Sequence, residues 1–369
     1  MATSVPSLDG LSPEKRALFE SLMRKKRAAR ASSAPAEIPW ENPEWFESTA
    51  ADLEARIEGL GLSTAAPVAR LHSSQDSCVL HVALPTGSLY YKAVPPYFTQ
   101  EVTLMRRLAA DFPRHTPEIL DHGENWYLMA SMPGRPLSEA VKLDTWRRAL
   151  GDFARLQMAY VDCPEVLFEA GFRDRRLDRF LDRVDGLLAR RDEVRFTGLT
   201  FFADLERLKP AILAAARRLA AFAIPQTVEH GDFHPSNIYV DEAASKPGAP
   251  APTTFFDFSD GSVSHPFFSP WVLLGFLEHS HPELLSEADA LREAYLEPWR
   301  RLVDPARLVD AFDAARPLAK LAYLLNVGEC IAHRPRSAPE ESVDMRQTMQ
   351  LSFQAVHAEL SARREETAR

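Results

Sequence analysis

The stretch Val228–Val240 reads VEHGDFHPSNIYV and joins a polar cluster to a short strand-forming run. Two histidines, Asp232 and Asn237 fall within eight positions, and the branched and aromatic run Ile238–Val240 follows at once. Such a run is typical of a strand, whereas the polar residues before it favour a loop. Three interpretations are open at this point: a metal-binding cluster, a catalytic loop, or a polar turn that leads into a strand.

A second strand-forming run lies further along the chain and ends in an acidic turn. Thr254–Phe256 leads directly into Asp257, within the sequence FFDFSDG. If Ile238–Val240 pairs with this run, the hairpin brings Asn237 and Asp257 to the same end. Their oxygen atoms then suit Mg²⁺, which is held by few protein groups together with phosphates. Asp232 stays free to accept a proton from a hydroxyl.

A lysine and a glutamate form the other candidate pair. Lys92 lies in the middle of the apolar run LYYKAV, and the next predicted helix places Glu101 on the same face as Leu104, Met105 and Leu108. A carboxylate on an inward stripe costs several kcal/mol unless it finds a cation. The sequence therefore predicts an ion pair that aims the lysine at an anionic ligand, such as a nucleotide phosphate. The alternatives are a solvent-facing glutamate and a lysine on an edge strand.

The order of predicted elements indicates a small sheet with one helix, followed by a largely helical portion. The predicted strands are Val68–Leu71, Cys78–Leu84, Ser88–Val94, Glu118–Leu120 and Trp126–Met132, and the predicted helices are Ser48–Leu60 and Thr99–Ala110. After Pro133 the pattern is mostly helical, apart from a β-rich island at Thr227–Phe258. This layout predicts an α+β, two-lobed fold. We assign residues 1–38 to an N-terminal helix and linker, 39–132 to the N-lobe and 133–369 to the C-lobe.

These residues supply the parts that phosphoryl transfer needs: a lysine on phosphates, a glutamate that orients it, a base and two magnesium ligands. The sequence resembles the aminoglycoside phosphotransferase and choline kinase-like family of small-molecule kinases. HGDFHPSN matches its HGDxHxxN catalytic loop, and FFDFSDG matches its strand-to-aspartate metal motif. The resemblance implies a bilobal protein-kinase-like fold, ATP or GTP with Mg²⁺, and a hydroxyl acceptor. It implies that Asp232 is catalytic, that Lys92 and Glu101 serve the nucleotide, and that Asn237 and Asp257 bind the metal.

The same resemblance covers roughly residues 62 to 300 and implies a hinge between the lobes. The run Trp126–Met132 is the strand that enters this hinge. Backbone groups from Ala130 to Met132 are then expected to hydrogen-bond the nucleotide base, so side-chain identity matters less there.

The turn expected to cover the phosphates departs from the usual glycine-rich form. Neither GxGxxG nor GxxxxGK[ST] occurs, and the corresponding turn is Leu71–Ser77. Ser73 and Ser74 offer backbone N–H and hydroxyl donors there. Asp76 adds a negative charge to the same turn, for which the sequence offers no explanation.

Two further departures concern the surroundings of the catalytic loop. The family commonly has an aspartate that braces the loop shortly after a proline that follows its metal motif, but Ser269, three positions after Pro266, stands at that position here. Relatives often carry a histidine where this sequence has Arg155–Gln157. We therefore expect the loop to be held differently, with the transfer machinery retained.

Composition limits the classes of partner. The 369 residues carry a net charge of −9, which argues against nucleic acid, because phosphate backbones attract basic patches; it mildly favours a cationic acceptor. Three cysteines lie far apart, which argues against a zinc site or a redox pair and fits a reducing compartment. No apolar run reaches the length of about 18 residues needed to span a membrane. We expect a cytoplasmic protein without a membrane partner.

The N-terminal segment LSPEKRALFESLMRKK, residues 11–26, predicts a short amphipathic helix before a linker. It resembles the helical lead-in that precedes modules of nonribosomal peptide and polyketide assembly lines. The resemblance implies docking to a carrier protein or an assembly-line enzyme of a natural-product pathway. The alternative is a helix that packs on the body of the protein or frays.

Two functions from different classes follow. The first is a small-molecule kinase that transfers the γ-phosphoryl of ATP or GTP to a hydroxyl. Its acceptor is an antibiotic, as in antibiotic resistance, or an intermediate of natural-product biosynthesis, free or carrier-bound. The alternative is a nucleotide-binding pseudokinase or scaffold docked to an assembly line. The presence of all five residues that the transfer needs favours the kinase: Lys92, Glu101, Asp232, Asn237 and Asp257.

Overall fold

A computed structural model describes residues 38–194, 201–244, 252–334 and 350–361, without the side chains of Glu278 and His279. The predicted α+β architecture is confirmed. Within these ranges the strands are β1 Ala69–Ser73, β2 Cys78–Leu84, β3 Gly87–Ala93, β4 Ile119–His122, β5 Trp126–Ala130, β6 Arg135–Pro136, β7 Arg173–Asp174, β8 Thr227–Glu229, β9 Ile238–Val240, β10 Thr253–Phe255 and β11 Ser262–Ser264. The helices are α1 Pro43–Gly59, α2 Gln100–Asp111, α3 Leu143–Met158, α4 Pro164–Glu169, α5 Phe180–Ala189, α6 Phe201–Ala220, α7 Phe268–Ser280, α8 Ala288–Leu296, α9 Pro305–His333 and α10, residues 350–361.

The N-terminal sheet has five antiparallel strands in the order β1-β2-β3-β5-β4. Strand β3 lies in the middle, so Lys92 is paired with Val79 on one side and with Tyr127 on the other. The edge-strand alternative for this lysine is therefore wrong. A central strand holds the lysine backbone rigidly, because both of its neighbours are hydrogen-bonded to it.

Helix α1 begins where the sequence supplies both a cap and a proline. The Asn42 side chain accepts the Glu44 N–H at 3.0 Å, and Pro43 occupies the first turn, where its missing N–H is not needed. Leu53 and Ile57 are buried in one cluster with the sheet residues of β2 and β3. The helix thus covers one face of the sheet.

Helix α2 covers the other face with the stripe that the sequence predicts. Leu104, Met105 and Leu108 are buried together with Tyr127 of β5, and Glu101 lies on the same face with no exposed surface. The same apolar cluster continues into the helices of the C-terminal part. Packing of α2 therefore couples the position of Glu101 to both parts of the protein.

The C-terminal part contains two small sheets, with orders β10-β9-β6 and β7-β11-β8. In the first, Thr253 pairs with Val240 and Phe255 with Ile238, so the predicted hairpin is present, with its second strand one residue earlier than expected. The Phe256 N–H donates to the Asn237 carbonyl at 3.3 Å. The residues before Asp257 are therefore held against the end of the catalytic loop.

The division of the chain at residue 132 stays a prediction. The predicted docking helix at residues 11–26 lies outside the described residues. Among the helices of the described ranges, none has the length and apolarity needed to cross a lipid bilayer.

Candidate functional site

Lys92 is at the centre of the site and contacts two carboxylates. Its Nζ lies 2.8 Å from Glu101 Oε1 and 2.6 Å from Asp257 Oδ1. The Tyr127 hydroxyl donates to the same Glu101 oxygen at 2.9 Å. Burial would lower the pKa of Lys92, but the two carboxylates outweigh it and raise the pKa above its ordinary value. The lysine is therefore a fixed positive charge. Its ion pair with Glu101 was predicted, whereas its direct contact with Asp257 was not.

The catalytic loop places Asp232 beside Asn237. The Asn237 Nδ2 donates to the Asp232 carbonyl at 3.0 Å and to its Oδ2 at 3.1 Å. Burial raises the pKa of Asp232 to about 7, and the negative charges of Asp257 and Asp260 add to the shift. A carboxylate held in one orientation with a pKa near neutrality has the properties of a general base.

Asp257 takes a backbone conformation that is rare for a residue with a side chain. Its φ of 62° lies in the left-handed region, where such residues cost of order 1 kcal/mol or more and cluster at functional sites. Burial would raise the pKa of Asp257, but Lys92 and the hydroxyl of Ser259, 3.1 Å from Oδ1, hold the pKa below its ordinary value. Asp257 is thus an ionised oxygen donor whose side chain is partly open to solvent.

His230 ties the catalytic loop to the strand that leads to Asp257. Its Nε2 lies 3.0 Å from the Phe256 carbonyl, and burial lowers the pKa of this histidine to about 4. A neutral imidazole then donates to the carbonyl. Among the described residues, no group of three or more His, Cys, Asp or Glu side chains is arranged to hold a metal ion.

A buried ion cluster anchors the turn after Asp257, and no pattern in the sequence predicted it. Arg175, 3% exposed, donates to the Asp260 carbonyl at 3.0 Å and to Glu329 at 2.7 Å. Arg183 Nε reaches the other Glu329 oxygen at 2.9 Å. Burial would raise the pKa of Glu329, but the two guanidinium groups outweigh it and lower the pKa to about 2. No spacing rule joins residues this far apart in the chain.

The depressed pKa of Glu329 predicts a loss of stability in acid. Since the folded pKa of about 2 lies below the ordinary 4.5, the contribution is complete above pH 4.5 and is lost as the pH falls toward 2. Between pH 6 and pH 3, we expect the wild type to lose about 2 kcal/mol more unfolding free energy than Glu329→Gln, measured by urea unfolding. Parallel pH profiles of the two proteins would contradict this prediction.

The turn expected to lie over the phosphates is held by its own serine. The Ser74 Oγ accepts the N–H groups of Asp76 at 3.1 Å and Ser77 at 3.2 Å, and Ser73 ends strand β1 beside it. Asp76, unexplained in the sequence, pairs with Arg334 at the end of α9, with Nε 3.0 Å from Oδ1. The charge of Asp76 is therefore neutralised from the C-terminal part.

The predicted hinge follows β5. The Ala130 N–H donates to the Glu118 carbonyl at 2.9 Å, so this group is already used within the sheet. The Ser131 N–H donates to the Ser88 carbonyl at 3.0 Å. Within the described part of the chain, the Met132 backbone has no hydrogen-bond partner.

Solved structures with the same fold are small-molecule kinases. The ethanolamine kinase of Plasmodium vivax superposes with a TM-score of 0.60 at 11% identity, covering 95% of both chains. The choline kinase of Cryptosporidium parvum has a TM-score of 0.56 at 11% identity, covering 82% of this chain and 90% of that one. APH(2″), solved with GDP and kanamycin, has a TM-score of 0.52 at 14% identity, covering 85% and 98%. At such identities these likenesses establish the fold, which is protein-kinase-like as predicted.

No curated protein matches the sequence significantly. The sequence does match the model of the phosphotransferase enzyme family, abbreviated APH, over residues 85–308, which is more than half of the chain. The matched span contains Lys92, Glu101, the loop with Asp232 and Asn237, and Asp257. The resemblance seen in the motifs is therefore confirmed: the chain belongs to the phosphotransferase enzyme family, whose members transfer phosphoryl groups to hydroxyls of small molecules.

Proposed function

We propose that this protein transfers the γ-phosphoryl group of ATP or GTP to a hydroxyl of an antibiotic or of a natural-product pathway intermediate. The observation that carries the proposal is the contact of Lys92 with both Glu101 and Asp257, beside the Asp232–Asn237 pair. A lysine, two metal-ligand candidates and a base then meet at one cleft, which is the set that phosphoryl transfer requires.

Asp232 is proposed as the residue that orients the acceptor hydroxyl and accepts its proton. The Asn237 amide holds one carboxylate oxygen, which leaves the other oxygen for the hydroxyl. The proton moves to this oxygen as the hydroxyl oxygen forms its bond to phosphorus, and the nucleoside diphosphate leaves. Asp232 supplies only positioning and proton acceptance, since the bond to phosphorus forms without a covalent enzyme intermediate.

Asn237 and Asp257 fit a magnesium ion. The Nδ2 of Asn237 is engaged by Asp232, so its Oδ1 is the atom available to a cation. The carboxylate of Asp257 is ionised and one-third exposed, which suits an ion that also takes ligands from phosphates and water. When bound, Mg²⁺ supplies charge neutralisation for the transferring phosphoryl group. Lys92, fixed by Glu101, supplies the protein's own positive charge to the phosphates.

The nucleotide is proposed to lie between the β1–β2 turn and the hinge. Ser73 and Ser74 border the phosphates, with Ser74 acting mainly by shaping the turn through its hydroxyl. The Ala130 carbonyl and the unpartnered backbone of Met132 are proposed to bind the base, because the Ala130 N–H is already engaged. One structural neighbour was solved with GDP, so both ATP and GTP belong in the test.

The test is an acceptor screen with ATP and GTP. Aminoglycosides, macrolides, small amino alcohols and free or carrier-bound pathway intermediates are incubated with Mg²⁺ and nucleotide, and products are read by a mass gain of one phosphoryl group. The proposal expects at least one phosphorylated acceptor, absent with Asp232→Ala. Nucleotide binding without turnover on any acceptor would favour the pseudokinase or scaffold instead. A variant that lacks residues 1–35 tests docking: if its kinetics on both free and carrier-bound acceptors are unchanged from those of the full chain, the docking proposal is contradicted.

The ion pair between Asp76 and Arg334 leads to a separate prediction about nucleotide binding. Because it ties the β1–β2 turn to the end of α9, Asp76→Asn and Arg334→Gln should each raise the nucleotide KM about 3- to 10-fold. The double variant should be no worse than either single one, since both remove the same contact. Arg56→Gln is the control, because it breaks an ion pair between α1 and Asp121, at 3.0 Å, away from the turn. Additive effects in the double variant would contradict the prediction.

A further inference from the structure

Glu229 is a buried carboxylate directly before the catalytic loop, and its sequence position gave no hint of a role. It ends strand β8 with 4% of its surface exposed. Its Oε1 accepts the Gly231 N–H at 2.9 Å. Burial of an ionised group costs several kcal/mol unless hydrogen bonds compensate it. A buried glutamate that is hydrogen-bonded to the backbone beside Asp232 therefore needs a functional explanation.

Ser269 connects the same carboxylate to the next backbone group of the loop. It lies in the first turn of α7, fully buried, and its Oγ accepts the His230 N–H at 3.1 Å and donates to Glu229 Oε1 at 3.2 Å. Two consecutive amides of the loop are thus linked to the same carboxylate oxygen: the Gly231 N–H donates to it directly, and the His230 N–H is linked to it through the Ser269 hydroxyl. The other oxygen, Oε2, accepts the Ser262 hydroxyl at 3.2 Å.

The opposite side of Gly231 is fixed as well. Its carbonyl accepts the Asn326 Nδ2 from α9 at 2.9 Å. Its φ is +83°, and a Cβ at this position would lie 2.4 Å from Asp260, so the backbone is pressed against the turn that follows Asp257. The bond to the Gly231 N–H fixes the peptide plane before this residue, and the bond to its carbonyl fixes the plane after it, which leads into Asp232. The two fixed planes hold the backbone that carries the Asp232 side chain in one orientation.

We propose that Glu229, acting with Ser269, is the positioning residue that braces the catalytic loop. In the family, an aspartate at the position of Ser269 commonly braces the loop. In this chain the bracing carboxylate is that of Glu229, at the end of strand β8. Glu229 and Ser269 are in contact, and together they hold the amides of His230 and Gly231. Bonds from N–H groups to a carboxylate are about twice as strong as those to neutral acceptors. This inference rests on the proposed role of Asp232 as the base.

The test exchanges the position of the carboxylate. Glu229→Ala should lower kcat about 10- to 100-fold with the nucleotide KM within about threefold, because a displaced base slows the chemical step. Ser269→Asp alone should lower Tm, since it places two carboxylates side by side. The double variant Glu229→Ala/Ser269→Asp should recover kcat to within about fivefold of the wild type. Thr227→Val is the control: it removes a buried hydroxyl bond to the Gln157 carbonyl, 2.8 Å long, in the same strand, and should leave kcat unchanged.

A second measurement does not depend on phosphoryl transfer. Amide hydrogen exchange at Gly231 and His230 should accelerate at least tenfold in Glu229→Ala and slow again in the double variant, with Thr227→Val like the wild type. A double variant that exchanges as fast as Glu229→Ala overturns the brace, and so does a Glu229→Ala variant with wild-type exchange. If the wild type transfers no phosphoryl group, the proposed function fails, and the exchange pattern alone decides for or against the brace.

Discussion

Replacement of Asp232 with asparagine is expected to lower kcat by about 10³-fold, with nucleotide affinity within about threefold of the wild type. Asparagine has the same shape and still accepts a bond from the Asn237 amide, but it cannot take the acceptor proton. The measurement is steady-state turnover with the acceptor found in the screen, together with calorimetric titration of Mg·ATP and Mg·GTP. Because asparagine and aspartate have the same shape, the variant keeps the loop structure and removes only the ability to accept the proton.

A matched control for this variant lies in the same loop. Ser236→Ala removes an exposed hydroxyl that donates to the Ser138 hydroxyl at 3.2 Å, so we expect kcat within about twofold of the wild type. If Asp232→Asn kept more than a tenth of the wild-type kcat, Asp232 would not be the base. Equal losses in the two variants would instead indicate that the loop tolerates no change.

The second large effect is expected for Lys92→Met, which should abolish turnover and also destabilise the fold. Glu101 has no exposed surface, so without its cation it leaves a buried, unpaired charge that costs about 3 to 5 kcal/mol. Asp257 is one-third exposed, so water compensates part of its loss. Unfolding in urea measures the stability, and turnover measures the function.

A double variant separates the two effects of this lysine. Lys92→Met/Glu101→Gln removes both charges and keeps an acceptor for the Tyr127 hydroxyl, so most of the lost stability should return. Turnover should stay absent, because no positive charge is left for the phosphates. A double variant that is stable and active would show that Lys92 serves only the structure.

The sequence predicted the local elements well, because each depends on neighbours in the chain. The strand-forming run Cys78–Leu84 gave β2 its bounds, and the first and third strands and α2 were each placed within two residues. Helix α1 begins five residues before its predicted start. The apolar stripe on α2 indicated that Glu101 is buried. Because a buried carboxylate needs a cation, and Lys92 was the nearest one, the ion pair could be predicted as well. The hairpin that brings Asn237 and Asp257 together followed from two strand-forming runs.

The motif HGDFHPSN was enough to indicate the family, and the family model agrees. The structure shows what two residues in and near this motif contact. His230 is a neutral support for the strand before Asp257. Ser269 stands where the family commonly has a bracing aspartate, and its hydroxyl connects the His230 N–H to the Glu229 carboxylate.

The sequence by itself determined the two-lobed α+β layout, the ion pair of Lys92 with Glu101 and the family motif in the loop with Asp232 and Asn237, since periodicity and motif spacing are local properties. Only the tertiary structure decided that Lys92 also contacts Asp257, that Arg334 neutralises Asp76 and that Glu229 holds the backbone before Asp232. The first two contacts join residues 165 and 258 positions apart. Contacts of that kind depend on how the helices pack against the sheet, and no local pattern in the chain records that packing.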